Sequence, residues 1–218
     1  PGDELMAQLV AAFGSSHSVM LAAELQDWLT GFRESDLRMK YYDREGNPRS
    51  YAEVLAVAPA NAEALVTANA ITARFKAVQD AMTRLRSEIA LAKLDALVIL
   101  GDDQHELFQD QHMPSIGIYL GESIRNASRG NARRPASPEE WYNRAQLRRF
   151  EDQADAHYPC HKALALALIG GLVASEFDVS AVGDLAEGQS EGHAYSFVHR
   201  WYLRGDGAAI VPVVPIFL

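Results

Sequence analysis

Cysteine is almost absent from this sequence: Cys160 is the only one in 218 residues. No intrachain disulfide can form, and a reducing, cytoplasmic location is the default expectation. Long apolar runs are missing as well. No stretch approaches the roughly 18 residues that a membrane-spanning helix needs, so no membrane partner is expected. The opening residues lack the pattern of a secretory leader. Positive charge is scarce: 20 Lys and Arg stand against 29 Asp and Glu, for a net charge of -9. Without a basic stripe, nucleic acid is not an expected partner, and the Arg133-Arg134 and Arg148-Arg149 pairs read as solvated surface. Several short signatures are also missing. There is no HExxH, no paired CxxC, no GxGxxG after a strand and no P-loop, and Gly14-Ser15-Ser16 does not make a GxSxG elbow. Zinc-protease, zinc-finger, dinucleotide, nucleotide-phosphate and serine-hydrolase chemistry therefore have no sequence support.

What remains is an ordinary globular mixture, 48% hydrophobic and 22% charged, long enough for one large domain or two small ones. Pro1-Gly2-Asp3-Glu4-Leu5 read as a remnant ahead of a natural start at Met6, leaving a single domain expected over 6–218. Gln8 to Gly14 is a short apolar run ended by glycine, a candidate buried strand. The segment from Ala22 to Phe32 reads as a helix, and Lys40 to Val54 as a polar excursion with a turn at Glu45-Gly46-Asn47-Pro48. Pro59 suits the first position of a long helix running to about Lys93, with Phe75, Val78, Met82, Leu85 and Ile89 along one face. Asp95 to Leu100 is too apolar for a strand with a wet face, which predicts a sheet covered on both sides. Further strands are expected at Ser115 to Leu120, Phe177 to Gly183 and Ala209 to Leu218, a helix at His161 to Glu176, and a mobile loop at Arg125 to Pro138. This alternation predicts an α/β fold with a largely parallel central sheet covered by helices.

In such sheets, ligands sit beyond the carboxyl ends of the strands. His17 follows the Leu9–Phe13 strand, His105 the Ala96–Leu100 strand, and His193 the Val179–Val182 strand. A histidine in a loop is ordinarily polar surface, and one beyond a strand is ordinarily structural. Two at equivalent strand ends leave an imidazole pair for a first-row metal as an equal alternative. Asp102 and Asp103 are placed to orient a ligating ring through its second nitrogen. His193 reads as a hydrogen-bonding or proton-moving group. His199 reads as surface or interface, His161 as a helix cap or cleft residue, and His112 and His157 as loop surface.

Four segments, Phe13 to Leu21, Leu97 to Phe108, His161 to Val179, and Glu191 to Arg200 with the closing Ala209 to Leu218, resemble in order and rough spacing the class III extradiol ring-cleaving dioxygenases. That group is typified by the catalytic β subunit of protocatechuate 4,5-dioxygenase and by the gallate and 3-O-methylgallate enzymes. The resemblance implies a non-haem Fe(II) centre with two histidines and a glutamate, a small aromatic diol and O2 as substrates, and a homodimer. Some relatives also carry a small α-type partner subunit. His17 matches the first ligand and His105 the second, in the family's Asp-X-His or Asn-Asp-His region, where this sequence reads Asp102-Asp103-Gln104-His105 with one residue more between acid and histidine. His193 matches an active-site histidine close to substrate. The family's ligand glutamate and a further catalytic histidine lie in a carboxy-terminal segment. Because Pro215-Ile216-Phe217-Leu218 reads as a strand cut short, both are expected beyond Leu218. Glu106 and Glu191 are the acids within the chain that could stand in, without a motif to support either. The competing readings are a binding or signalling protein of the same fold, as in the Memo-like group, and a metal-dependent hydrolase using the same two histidines.

Overall fold

The computed structural model describes residues 7–132, 140–204 and 210–218. They fall into two compact units. The smaller draws on 18–81 and 135–146, the larger on 1–17, 82–134 and 147–218. The readings placed on Pro1 to Met6 and on Arg133-Arg134 lie outside the described residues.

The smaller unit begins with α1 (Val19–Ala22), a π-helical turn at Asp27–Gly31 and α2 (Phe32–Asp36). A small hairpin of β1 (Tyr41–Tyr42) and β2 (Pro48–Arg49) follows, then α3 (Tyr51–Ala56), α4 (Ala62–Leu65) and the start of α5 (Ala68–Leu91). The hairpin turns where the Glu45 to Pro48 signals put it. Its hub is the Asp43 carboxylate, which accepts the Asn47 and Glu45 N–H groups and the Arg49 guanidinium. Trp28 packs on Phe32 and Phe75, and Trp141 on Phe32 at 4.5 Å between ring centroids. Gly31 makes this possible, because a Cβ there would lie 2.6 Å from the Trp141 ring. The long helix starts at Ala68 rather than Pro59, since the chain first makes the separate turn of α4. Its apolar stripe is as the spacing predicts, with Ile71 and Ile89 buried and the residues between them half-buried.

The larger unit carries β3 (Leu97–Gly101), β4 (Gly117–Tyr119) and β5 (Ser123–Asn126). After α6 (Trp141–Leu147) come β6 (Ala156–Pro159), α7 (Lys162–Ala174), β7 (Ser180–Val182), α8 (His193–Val198) and β8 (Val213–Phe217). The chain is thus a mixed α/β protein. The main sheet has the order β3-β8-β4-β7. β3 pairs with β8 in parallel and β4 with β7 in parallel, but β4 runs against β8. The expected largely parallel sheet is therefore a mixed one, and its carboxyl ends are divided between two rims.

β8 is buried over its whole length, Pro215 included. Val213 and Phe217 pack with Ile99, Tyr119 and Tyr195, while Val214 and Ile216 pack with Ile118 and with Ala165 of α7. β3 alternates instead: Ile99 is 7% exposed and Leu100 68%. It forms one edge of the sheet, so its outer side chains are not covered as its composition suggested.

Two local expectations fail for the same reason, that a strand needs a partner as well as a pattern. Gln8 to Gly14 joins no sheet, and Leu9 and Val10 are exposed. Conversely, Arg125 does not open a loop. It lies in β5, which pairs with β6, and Asn126, Ala127 and Ser128 are buried. The Asp155 carboxylate fastens this ribbon through Arg125, the Ser128 N–H and the Asn131 side chain. His157 falls in β6 and is exposed, and His161 caps α7 by accepting the Leu164 N–H.

Candidate metal centre

At the carboxyl end of β3 the chain enters a tight turn. Gln104 and His105 both take left-handed conformations, with φ of 46° and 62°. Asp103 is buried and holds the turn closed, its carboxylate accepting the N–H groups of Leu107 and Phe108. Left-handed backbone is uncommon for residues other than glycine, and two such residues in succession bend the chain sharply out of the strand direction. His105 therefore swings out, 58% exposed, and meets Asp110 at 2.6 Å. Glu106 turns in.

What meets at this rim is His17, Asp102 and His193. One ligand atom from each lies within 4.8 Å of the other two. His17 Nε2 stands 3.0 Å from Asp102 Oδ1. The His17 and His193 rings are edge to face, with centroids 4.6 Å apart. Each residue comes from a different element: the segment before α1, the end of β3 and the first residue of α8. Two imidazoles and one carboxylate, half-buried and able to approach a common point, suit a first-row divalent metal. Among the described residues this is the one group of its kind.

His193 is held from behind. Glu106 accepts both its main-chain N–H and its Nδ1, the latter at 2.8 Å, and pairs with Arg149 at 2.8 Å. Burial works to raise the Glu106 pKa, but the His193 hydrogen bonds and the Arg149 charge outweigh it and hold the carboxyl below its ordinary value. An ionised Glu106 fixes the proton on Nδ1 and leaves the Nε2 lone pair free, the arrangement found behind metal-bound histidines.

The approach of α8 to β3 is set by Gly101. A Cβ at that position would lie 2.8 Å from the Ala194 Cβ. Next along α8, the fully buried Tyr195 brings its hydroxyl to the carbonyls of Gly101 and Ile216, at 2.9 and 2.7 Å. The main chain next to Asp102 and the helix that carries His193 are thus packed directly against each other.

The sequence-derived candidates separate accordingly. His17 and His193 come together; His105 does not join them. Asp102 arrives as a third donor beside the rings it was expected only to orient. Glu106 supports His193, and Glu191 is committed elsewhere: it is buried against His199 at 2.7 Å, and burial pushes its pKa up. His199, expected at the surface, is fully buried and stacked on Tyr158 at 3.9 Å. Arg149, expected to be solvated, is 18% exposed and tied to Glu106. Arg149 was placed at the surface as one of an arginine pair and His199 because it follows no strand end, yet each is paired with an acid, Glu106 half-buried and Glu191 fully buried. Burial pushes the Cys160 thiol up to about 12, so it offers no nucleophile.

No protein-family model matches this sequence, and no curated protein matches it as a relative.

Proposed function

We propose that this protein is a non-haem Fe(II)-dependent extradiol dioxygenase, opening the ring of a small aromatic diol beside the diol with both atoms of O2. The observation that carries the reading is the convergence of His17, Asp102 and His193, a two-histidine, one-carboxylate set of the kind that leaves open positions on Fe(II). The resemblance of four ordered sequence segments to the class III enzymes supplies the reaction.

His17, Asp102 and His193 would hold the metal. A bound Fe(II) would supply the site at which diol and dioxygen meet and the route for electron density between them. Glu106 orients His193 and keeps its proton on the far nitrogen. This departs from the family pattern, in which the residue matching His105 ligates and the one matching His193 handles protons. A dimer and an α-type partner subunit belong to the same reading, as does a cytoplasmic setting. No helix among the described residues is long and apolar enough to cross a membrane.

The test is anaerobic loading with Fe(II), metal analysis, and oxygen uptake on catechol, protocatechuate and gallate. Uptake stoichiometric with ring opening, lost in both His17→Ala and His193→Ala, is the expected result. A protein that binds iron but consumes no oxygen with any diol would sink the enzyme reading in favour of a binding protein. Zinc as the resident metal, with ester or amide cleavage, would favour a hydrolase.

A further inference from the structure

Resting on the dioxygenase reading, we infer that the diol taken at the His17 site is an uncharged, single-ring one. A cavity of about 180 Å³ opens between α5, β3, α8 and the segment ending at His17. His17 is one of its walls and is also a member of the metal-ligating group, so the cavity adjoins the candidate centre at that residue. The other walls include Leu85, Ile89, Leu100 and Phe197.

Size and charge together select the ligand. A cavity of ~150 Å³ lined by aliphatic and aromatic side chains accepts one benzene ring. This one therefore has room for one ring with a small substituent within its walls. Its polar handles are at the His17 end, where Ser15 Oγ and the Tyr202 hydroxyl are 2.6 Å apart. They are suited to hydroxyl groups. No Lys, Arg, Asp or Glu lines it among the described residues. Arg149, which pairs with Glu106 through one guanidinium nitrogen, does not line the cavity. A ring carboxylate placed here would lie against mostly apolar walls without a cation to answer it. The cavity thus favours catechol or an alkylcatechol over the carboxylated diols on which the resembling enzymes act.

The experiment compares 4-methylcatechol with 3,4-dihydroxybenzoate, which differ by a methyl against a carboxylate. Calorimetric titration of the metal-free protein at neutral pH is expected to show the neutral diol binding at least about tenfold tighter, a difference of about 1.4 kcal/mol. Leu100→Arg, at an exposed cavity position, is expected to reverse the preference while the fold stays intact. Leu85→Trp, which fills the cavity, is expected to abolish binding of both. Equal or tighter binding of the carboxylate by the unaltered protein overturns the inference, and so does unchanged 4-methylcatechol binding in a folded Leu85→Trp protein. Oxygen uptake separates this inference from the reading beneath it. Loaded protein that turns over dihydroxybenzoate with the higher kcat/KM overturns the cavity assignment and leaves a dioxygenase. A retained preference in binding, with no uptake on either diol, overturns the dioxygenase and leaves the cavity assignment standing.

Discussion

Glu106 receives two hydrogen bonds from His193, one from the main chain and one from the ring. The first fixes where α8 begins and the second fixes how its first side chain is turned. One carboxylate therefore sets both the position and the tautomer of a candidate ligand.

Glu106→Gln keeps the size of that side chain and removes its charge. Metal affinity, titrated with Fe(II) anaerobically or with Co(II), is expected to fall about 10- to 100-fold, as for other partners behind a ligating histidine. Far-ultraviolet circular dichroism should be unchanged. An affinity equal to that of the parent protein would remove Glu106 from the site.

His105 and His17 give opposite predictions. His17→Ala is expected to abolish stoichiometric metal binding. His105→Ala removes an exposed ring paired with Asp110 and should leave the binding curve in place. Loss of metal in His105→Ala, with binding kept in His193→Ala, would restore the ligand pair implied by the family resemblance.

Gly101→Ala tests the main-chain contact. The new methyl would meet Ala194 at 2.8 Å and the Tyr195 ring at 3.3 Å. Overpacking of this kind costs about 1–3 kcal/mol. Urea denaturation should show that loss, and the displaced α8 should weaken metal binding as well. Full stability together with full affinity would mean that the contact is not what spaces the ligands.

Asp155 governs part of the acid response. Hydrogen bonds from the Ser128 main chain and then Arg125 hold its pKa well below the ordinary 3.8. In the window between the two values the unfolded chain binds the extra proton, so stability there rises with pH. The contribution is complete above the unfolded value and is lost as pH falls through the folded one. Denaturation midpoints between about pH 5 and pH 2 should drop less steeply for Asp155→Asn than for the parent. Parallel curves would show that the carboxylate contributes nothing through its charge.

Much of the scaffold was legible in the sequence. Runs such as Leu97 to Gly101 and Val213 to Phe217 form strands where their composition puts them, and Lys162 to Ala174 forms a helix. Strand direction was not legible, because β4 and β8 have the same apolar character whether they run together or opposed. Nor was the failure of Gln8 to Gly14 to pair, since pairing depends on what lies beside it. For the site, His17 and His193 were singled out as strand-end residues, but the strand expected before His17 does not form and β7 ends on the rim opposite that of β3. Strand-end placement could not exclude His105, whose direction hangs on two left-handed residues with ordinary side chains. Asp102 was visible as a neighbour and not as a donor. Arg149 and His199 were misjudged because a charged or titratable residue carries no local mark of the acid it pairs with, whether that acid is far along the chain, as Glu106 is from Arg149, or eight residues away, as Glu191 is from His199.

Pro215 stands in the middle of β8, buried, opposite Ile99 of β3. A strand that is apolar on both faces has no wet side to tell it when it has slipped by one residue. An imino acid does, because it has no N–H and fits only where the ladder requires none. Pro215 thus acts as an index mark for the sheet. The alignment of β8 fixes that of β3, and with it the height at which Asp102 leaves the sheet to meet the two histidines.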